Sequence, residues 1–174
     1  MVSEQQVWLG VMAAGVIALL AISGFNPIDL IDTTDEDTMY STADKKHPLA
    51  KECLGGHTAD MIHYHAAVII RVNGEFVPIP EDVGRPDGDC PMRQLHTHSE
   101  NNVIHIELKQ AADVPIEAFF DVWGKHFDET GFDDYRVNET HEIIMIVNGE
   151  PNEEFNKYIL KDDDEVFIDF KPRD

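Results

Sequence analysis

Basic residues are scarce in this chain of 174 residues. It contains 13 lysines and arginines against 34 aspartates and glutamates, which gives a formal net charge of −21 at pH 7. A field of this sign repels phosphate backbones and anionic lipid headgroups and concentrates cations near the surface. The composition argues against nucleic acid as a partner, and solubility in a salty medium is the simplest explanation of the charge.

The chain also lacks the motifs on which most enzyme classes depend. Its sequence has no nucleophile elbow, no glycine-rich loop for phosphate and no pair of catalytic carboxylates. Enzyme chemistry without a metal ion therefore has no support in the sequence. Whether the protein is an enzyme stays open at this point, and a binding role is favoured.

Cysteine is limited to two residues, Cys53 and Cys90. Two lone cysteines in an oxidising compartment are expected to form a disulfide. Ligation of a soft metal ion is the alternative, because Cys90 and Met92 lie a few residues before His96. We predict the disulfide and keep thiolate ligation as the alternative.

One long run near the start of the sequence, residues 7–25, contains no charged residue. A helix of about 19 residues is about 28 Å long, which is enough to cross a bilayer. The leader before it, MVSEQQ, has no basic residue, so a retained anchor is favoured over a cleaved signal peptide. We therefore predict an N-terminal transmembrane helix within residues 1–25 and a single-pass protein of the cell membrane, with its C-terminal domain extracytoplasmic.

Small residues recur on one side of this predicted helix. Gly10, Ala14 and Ala18 are spaced four residues apart, which allows the close approach of another transmembrane helix. The spacing predicts packing against another membrane protein, and chance in an alanine-rich segment is the alternative.

Two regions follow the anchor. Residues 26–51 have little apolar periodicity and many acidic and turn-forming residues, which predicts an acidic tether. Residues 52–174 predict one folded domain. Alternating apolar residues and Asn-Gly turns predict strands in that domain at residues 63–72, 75–80, 95–98, 103–108, 141–147 and 165–170.

One helix of about ten residues is predicted after the second hairpin. Asp113 is expected to cap its start and Gly124 to follow its end. Antiparallel hairpins packed on this single helix indicate an α+β domain. The last thirty or so residues resemble the end of a β-grasp domain, a fold that hosts many functions. The predicted helix carries a mainly aromatic apolar stripe, which consists of Ile116, Phe119, Phe120 and Trp123.

Histidines alternate along two of the predicted strands. The alternation places His96 and His98 on one face of the sheet, and a four-residue turn brings His105 opposite His96. His63 and His65 share one face of the first strand in the same way. Directly opposed Cβ atoms lie about 4.5–5.5 Å apart, so these imidazoles can converge on one ion.

The histidines indicate a metal site and suggest its chemistry. Neutral imidazole suits copper and zinc, whereas calcium and magnesium prefer oxygen ligands. Glu107 shares the face of His105 and is expected to orient a histidine. The alternative is that the histidines are ordinary solvated or hydrogen-bonded residues of a sheet. The isolated histidines, His47, His57, His126 and His141, are expected to be ordinary surface residues.

Four short segments together resemble one protein family. HYH, LHTH, IHIE and FFDVWG match the pattern H-x-H, L-H-T-H, I-H-I-E and F-F-x-x-W-G of an uncharacterised family of small membrane-anchored, histidine-rich extracytoplasmic domains of archaea and bacteria. The resemblance covers residues 63–127 and implies one domain with a shared set of histidines, without implying an activity. Ser99 and Asn102 depart from the Asp and Gly that are usual in the family, which affects the turn alone.

These features predict a membrane-anchored, extracytoplasmic module that binds a transition metal, with copper favoured and zinc second. It would store or deliver the ion or serve as an accessory subunit of a membrane complex. Two alternatives stay open. A zinc ion on three histidines with an open fourth position would make a zinc-dependent hydratase or hydrolase. The other alternative is a structural interaction subunit whose histidines are incidental.

Overall fold

The computed structural model describes residues 45–57, 60–99 and 101–173. The predicted anchor, the stripe at Gly10, Ala14 and Ala18 and most of the predicted tether lie outside these residues. Within the described part of the chain, no helix is both long enough and apolar enough to span a bilayer. The described structure is mixed α+β and consists mainly of strands.

Ten strands, two α-helices and one 3₁₀ helix occur in the described residues. In chain order they are α1 (Pro48–Lys51), β1 (Ile62–Val72), β2 (Glu75–Val77), β3 (Leu95–His96), β4 (Val103–Leu108), α2 (Glu117–Trp123), β5 (Phe127–Asp128), β6 (Gly131–Phe132), β7 (Tyr135–Arg136), β8 (His141–Val147), β9 (Glu150–Pro151), the 3₁₀ helix (Phe155–Lys157) and β10 (Asp164–Pro172).

The main sheet has seven strands in the order β3-β4-β1-β10-β8-β9, and β2 pairs with β1. Its neighbouring strands are antiparallel except for β1 and β10, which run parallel from Ala66 beside Asp164 to Val72 beside Phe170. The sequence predicted antiparallel hairpins and did not anticipate this pair. Parallel strands need a long connection, and here most of the domain lies between the two strands.

One face of the main sheet is buried because its strands alternate as predicted. Full burial of one large apolar side chain stabilises the fold by about 1.5–3 kcal/mol. These side chains and those of Phe119 and Phe120 from α2 belong to one hydrophobic core. On β1, β4 and β10 the buried apolar residues are Ala66, Val68, Ile70, Val72, Ile104, Ile106, Leu108, Val166, Ile168 and Phe170. The opposite face of β1 and β4 carries the histidines.

Helix α2 begins later than predicted. The prediction that Asp113 caps it is wrong, because the backbone before the helix pairs with another segment of the chain. Leu160 N donates to Val114 O at 2.9 Å and Ile116 N donates to Tyr158 O at 2.9 Å, so the helix begins only after Ile116. Its predicted end is confirmed, since Gly124 follows it with a left-handed φ of 73°.

Two features near α2 were not predicted. The strands β5, β6 and β7 form a small second sheet, whose Phe127 and Phe132 rings lie 4.7 Å and 6.0 Å from the ring of Phe120. Helix α1 contacts α2, and the backbone N of His47 donates to Asp121 Oδ2 at 2.6 Å. Ordered structure therefore extends into the last residues that the sequence assigned to the tether.

Cys53 and Cys90 form a disulfide, as predicted, with their Cα atoms 5.6 Å apart. Next to it, Cys53 pairs with Arg93 in a short antiparallel bridge, and Leu54 N donates to Met92 O at 2.8 Å. The segment that carries His57 is thereby held beside the residues that lead into β3.

Candidate metal centre

Three adjacent strands place histidines on the same face of the sheet. Strand β4 lies between β3 and β1, so His105 lies directly opposite His96 on one side and His65 on the other. Glu107 lies opposite His63. The predicted pairing of His96 with His105 is confirmed. We call His63, His65, His96, His98, His105 and Glu107 together the histidine face.

The side chains of the histidine face form two groups of close donor atoms. In the first group, one donor atom each from His96, His98, His105 and Glu107 lie within 4.8 Å of one another. In the second group, the same holds for His63, His65 and His105. His105 belongs to both groups. No cysteine belongs to a group of this kind in the described residues, which is consistent with the disulfide.

The fully buried imidazole of His96 is held in one tautomer. Its Nδ1 lies 3.0 Å from the carbonyl oxygen of Arg93, and a carbonyl can only accept a hydrogen bond. Nδ1 therefore carries the proton, and Nε2 presents its lone pair. This second nitrogen lies 3.2 Å from His98 Nε2 and 3.9 Å from Glu107 Oε1. A metal-binding histidine is commonly oriented by such a hydrogen bond on its other nitrogen.

The second group has an arrangement that hydrogen bonds alone do not satisfy. His105 Nδ1 lies 3.1 Å from His65 Nε2 and 3.3 Å from His63 Nε2. An imidazole nitrogen has one in-plane position, which holds either a proton or a lone pair. His105 Nδ1 can therefore form a good hydrogen bond with only one of the two neighbouring Nε2 atoms. With metal–nitrogen bonds of about 2.0–2.1 Å, two nitrogens on a tetrahedral ion lie about 3.3 Å apart. The two measured separations therefore match those between ligands of one ion, and all three donor atoms lie within 4.8 Å of one another.

Glu107 is more than the orienting residue that the sequence indicated. The residue is 1% exposed, and its Oε2 accepts a hydrogen bond from His57 Nδ1 at 2.8 Å. Its Oε1 is buried and has no hydrogen-bond partner among the described residues. An unsatisfied buried carboxylate oxygen is costly, and a cation between it and the imidazoles would remove that cost.

Two residues near the histidine face were missed by the sequence analysis. His57 was expected to be an ordinary surface residue, yet its ring bonds to Glu107 and stacks 6.0 Å from the ring of His98. Its only signal in the sequence is its nearness to Cys53. The second residue is Arg85, whose guanidinium donates to His98 Nδ1 and lies 3.3 Å from Asp82 Oδ1.

Burial keeps the central imidazoles neutral. It lowers the pKa of His96 to about 3 and the pKa of His105 to about 4, and neighbouring histidines add to the effect. Burial and then the positive charge of Arg85 also lower the pKa of His98. Neutral imidazole is the form that coordinates metal ions, so His96 and His105 need not lose a competing proton near pH 7.

The other isolated histidines, expected to be ordinary surface residues, are partly buried and make local structural contacts. His47 Nδ1 accepts a hydrogen bond from Leu49 N at the start of α1. The ring of His126 lies 3.0 Å from Asp128 Oδ1, and the ring of His141 stacks on Phe170 at 5.3 Å. These three residues lie outside both groups of close donor atoms in the described structure.

An open cleft of about 380 Å³ adjoins the histidine face at His65. Its walls come from β1, β4 and the start of β10, and they include the acidic residues Asp163, Asp164 and Glu165. One residue of the second group, His65, therefore lines a solvent-open cleft with acidic walls.

Comparisons of the chain with protein-family models, with curated proteins and with solved structures each found no match. Function must therefore be inferred from the residues of the histidine face and their surroundings.

Proposed function

We propose that the protein is a transition-metal-binding module in which His96, His98, His105 and Glu107 hold an ion. The observation that carries this proposal is Glu107 Oε1, a buried carboxylate oxygen without a hydrogen-bond partner in the described residues, which faces imidazole nitrogens. Ordinary surface histidines would neither bury a carboxylate nor leave it unsatisfied.

The donor set favours copper(II), with zinc second. Nitrogen and carboxylate ligands bind divalent ions in an order that peaks at copper. Copper(I) prefers soft sulfur ligands, and the two cysteines are bonded to each other. Acidic residues and an open cleft lie beside the ligands. We therefore propose that the domain stores or delivers the ion. A related role is that of an accessory subunit of a membrane complex.

The direct test is metal binding by the full chain purified without an affinity tag that contains histidine. We expect copper or zinc to bind more tightly than micromolar, and His98→Ala or Glu107→Gln to weaken binding by at least tenfold. His126→Ala is the matched control, because it removes a histidine outside the histidine face. If the parent binds neither ion below micromolar, or if His98→Ala binds as well as the parent, the structural interaction subunit becomes the better explanation.

We also propose that residues 7–25 anchor this domain outside the cytoplasm. The disulfide supports an oxidising compartment. A single-pass anchor would leave the stripe at Gly10, Ala14 and Ala18 to pack on another membrane protein. The same proposal includes a relation to the family of membrane-anchored histidine-rich domains. It also includes a relation to β-grasp folds, which the parallel pairing of β1 with β10 supports.

Cell fractionation tests the anchor. We expect the full-length protein in the membrane fraction, released by detergent and not by high salt. A mature N-terminus near Gly24, found by mass spectrometry, would show a cleaved signal peptide instead.

A zinc-dependent hydratase or hydrolase is the second candidate, and the open cleft beside His65 is the observation that favours it. Three histidines around zinc lower the pKa of a bound water to about 7, and the cleft gives a small substrate access. Hydration of carbon dioxide or ester hydrolysis that requires zinc, is lost in His105→Ala and persists in His126→Ala would support the enzyme. Absence of both activities in the zinc-loaded protein would exclude these two reactions.

A further inference from the structure

We propose that the histidine face holds two ions, with His105 bridging them as an imidazolate. This inference rests on the proposed function, since it takes the same residues to be metal ligands. The inner ion would bind His96, His98 and His105. The outer ion would bind His63, His65 and the other nitrogen of His105.

The order of the strands supplies the first argument. Strand β4 is flanked by β3 and β1. Strand β1 contributes His63 and His65 to the face, and β3 contributes His96, with His98 two residues further along the chain. The two pairs therefore stand on opposite sides of His105. The two groups of close donor atoms have only His105 in common.

The nitrogens of His105 supply the second argument. Its Nδ1 is the atom that lies 3.1 Å from His65 Nε2 and 3.3 Å from His63 Nε2. This assignment leaves Nε2 for the ion on the side of β3. When both nitrogens coordinate, the ring proton leaves to solvent, and the resulting negative charge lies between the two cations and reduces their repulsion.

Glu107 supplies the third argument. Its Oε1, which accepts no hydrogen bond from the described residues, lies 3.5 Å from His63 Nε2 and 3.9 Å from His96 Nε2, which belong to different groups. The carboxylate is thus placed between the two proposed ions and adds a second negative charge there. His57 holds the other oxygen at 2.8 Å, which fixes the orientation of the carboxylate.

The two ions would differ in how easily they exchange. The side chain of His96 is fully buried, whereas that of His63 is 43% exposed. The outer ion also adjoins the acidic cleft at His65. We therefore assign the inner ion a structural role, in which it stays bound. The outer ion is the one that exchanges and is transferred.

Copper(II) titration of the full chain, followed by paramagnetic resonance, tests the bridge. We expect two copper ions per chain. The signal should grow up to the first equivalent and then decline towards the second, because spins joined through an imidazolate couple antiferromagnetically. The double variant His63→Ala/His65→Ala should bind one copper ion with full signal intensity. The control His126→Ala should bind two ions with the same loss of signal as the parent.

The outcomes separate this inference from the proposed function. One copper ion per chain with full signal intensity in the parent would overturn the two-ion site and leave the metal-binding module intact. Two ions whose signal stays undiminished would overturn the bridge. No bound copper would overturn both proposals. Circular dichroism of each variant shows whether the fold is retained, and the two substitutions on β1 are at partly exposed positions.

Removal of the metal tests the assignment of the outer ion. A chelator added to the two-copper protein should take up copper in two phases, and the faster phase should be absent in His63→Ala/His65→Ala. A single phase that accounts for both ions would overturn the division into an inner and an outer ion.

Discussion

Arg85 places a positive charge against a proposed metal ligand. Its guanidinium donates to His98 Nδ1, and it also lies 3.3 Å from Asp82 Oδ1. A cation bound to His98 would be repelled by this charge, and Asp82 offers the guanidinium a second partner when the ion enters. Arg85 is therefore expected to weaken metal binding at the proposed inner position.

The Arg85→Gln variant should bind copper or zinc about tenfold more tightly than the parent. Removing one positive charge close to a divalent ion, partly screened by solvent, is worth roughly 1–2 kcal/mol. Competition with a chelator of known affinity at pH 7 measures the change. Lys157→Ala, which removes a positive charge outside the histidine face, should leave the affinity unchanged. Weaker binding in Arg85→Gln would show that Arg85 supports the ligand set.

The lowered pKa values of His96 and His105 predict how the metal-free protein responds to acid. An unfolded histidine titrates near pH 6.5, whereas these two titrate at about 3 and about 4 in the folded state. Between these values the unfolded chain binds protons that the folded chain does not. The free energy of unfolding therefore decreases as the pH falls from about 6.5 towards about 4.

Chemical denaturation of the metal-free protein at several pH values between 7 and 5 tests this prediction. Each such histidine contributes a slope of up to about 1.4 kcal/mol per pH unit, and His96→Gln should remove its share. Lys157→Ala should retain the slope of the parent. An identical slope in His96→Gln and the parent would contradict the assignment. The same shifts should allow His96 and His105 to bind metal below pH 6.5, where an unperturbed histidine would be protonated.

At the scale of the strands, Thr97 fixes the orientation of the two histidines on either side of it. Its hydroxyl donates to Pro80 O at 2.8 Å and accepts from Val83 N at 3.0 Å, and its side chain is fully buried. Thr97 N also donates to Val83 O at 3.1 Å. The loop before β3 is thereby tied to the middle of the His-Thr-His segment.

The Thr97→Val variant should lose roughly 1–3 kcal/mol of stability, because it leaves the buried Val83 N–H and Pro80 carbonyl without their partner. It should also weaken metal binding, since His96 and His98 lose their fixed orientation. Thr97→Ser keeps the hydroxyl and should retain the metal affinity of the parent. Urea denaturation and metal titration measure the two effects. Unchanged metal binding in Thr97→Val would show that the strand pairing alone positions the histidines.

Periodicity predicted the faces of the strands but not which strands are neighbours. Alternation and turn length were enough to pair His96 with His105, because that pairing is local. The contact of His65 with His105 depends on the lateral order of β1 and β4, which no local pattern encodes. The position of His57 depends on the disulfide, whose two cysteines are 37 residues apart in the sequence. The start of α2 was misjudged because residues 158–160 hold the backbone before it.

At the scale of the whole molecule, the disulfide joins the segment of His57 to the rest of the domain. Closing a loop across 37 residues should stabilise the fold by roughly 4 kcal/mol in the chain-entropy description. The Cys53→Ser/Cys90→Ser variant should lose about this amount in urea denaturation. The parent measured in reducing buffer is the matched comparison and should show a similar loss. A loss below about 1 kcal/mol in both samples would show that contacts other than the disulfide hold this segment.

The net charge of −21 should accelerate the capture of divalent cations. Long-range attraction raises association rates and is screened by salt, with a Debye length of about 10 Å at 0.1 M. Stopped-flow measurements should show the association rate of zinc or copper decreasing severalfold between about 0.05 and 0.5 M sodium chloride. The dissociation rate should change much less. An association rate that is independent of salt would show that the charge does not contribute to metal capture.

The parallel pair of β1 and β10 also determines when the main sheet is complete during synthesis. Arg71 of β1 and Asp169 of β10 form an ion pair although they are 98 residues apart in the chain. Strand β1 leaves the ribosome long before its partner on that edge exists, and pairs of such large separation form slowly. The main sheet is therefore completed only after β10 has been synthesised, although the proposed ligands themselves lie within residues 63–107. Metal binding that depends on the completed sheet is then expected to follow the synthesis of almost the whole domain.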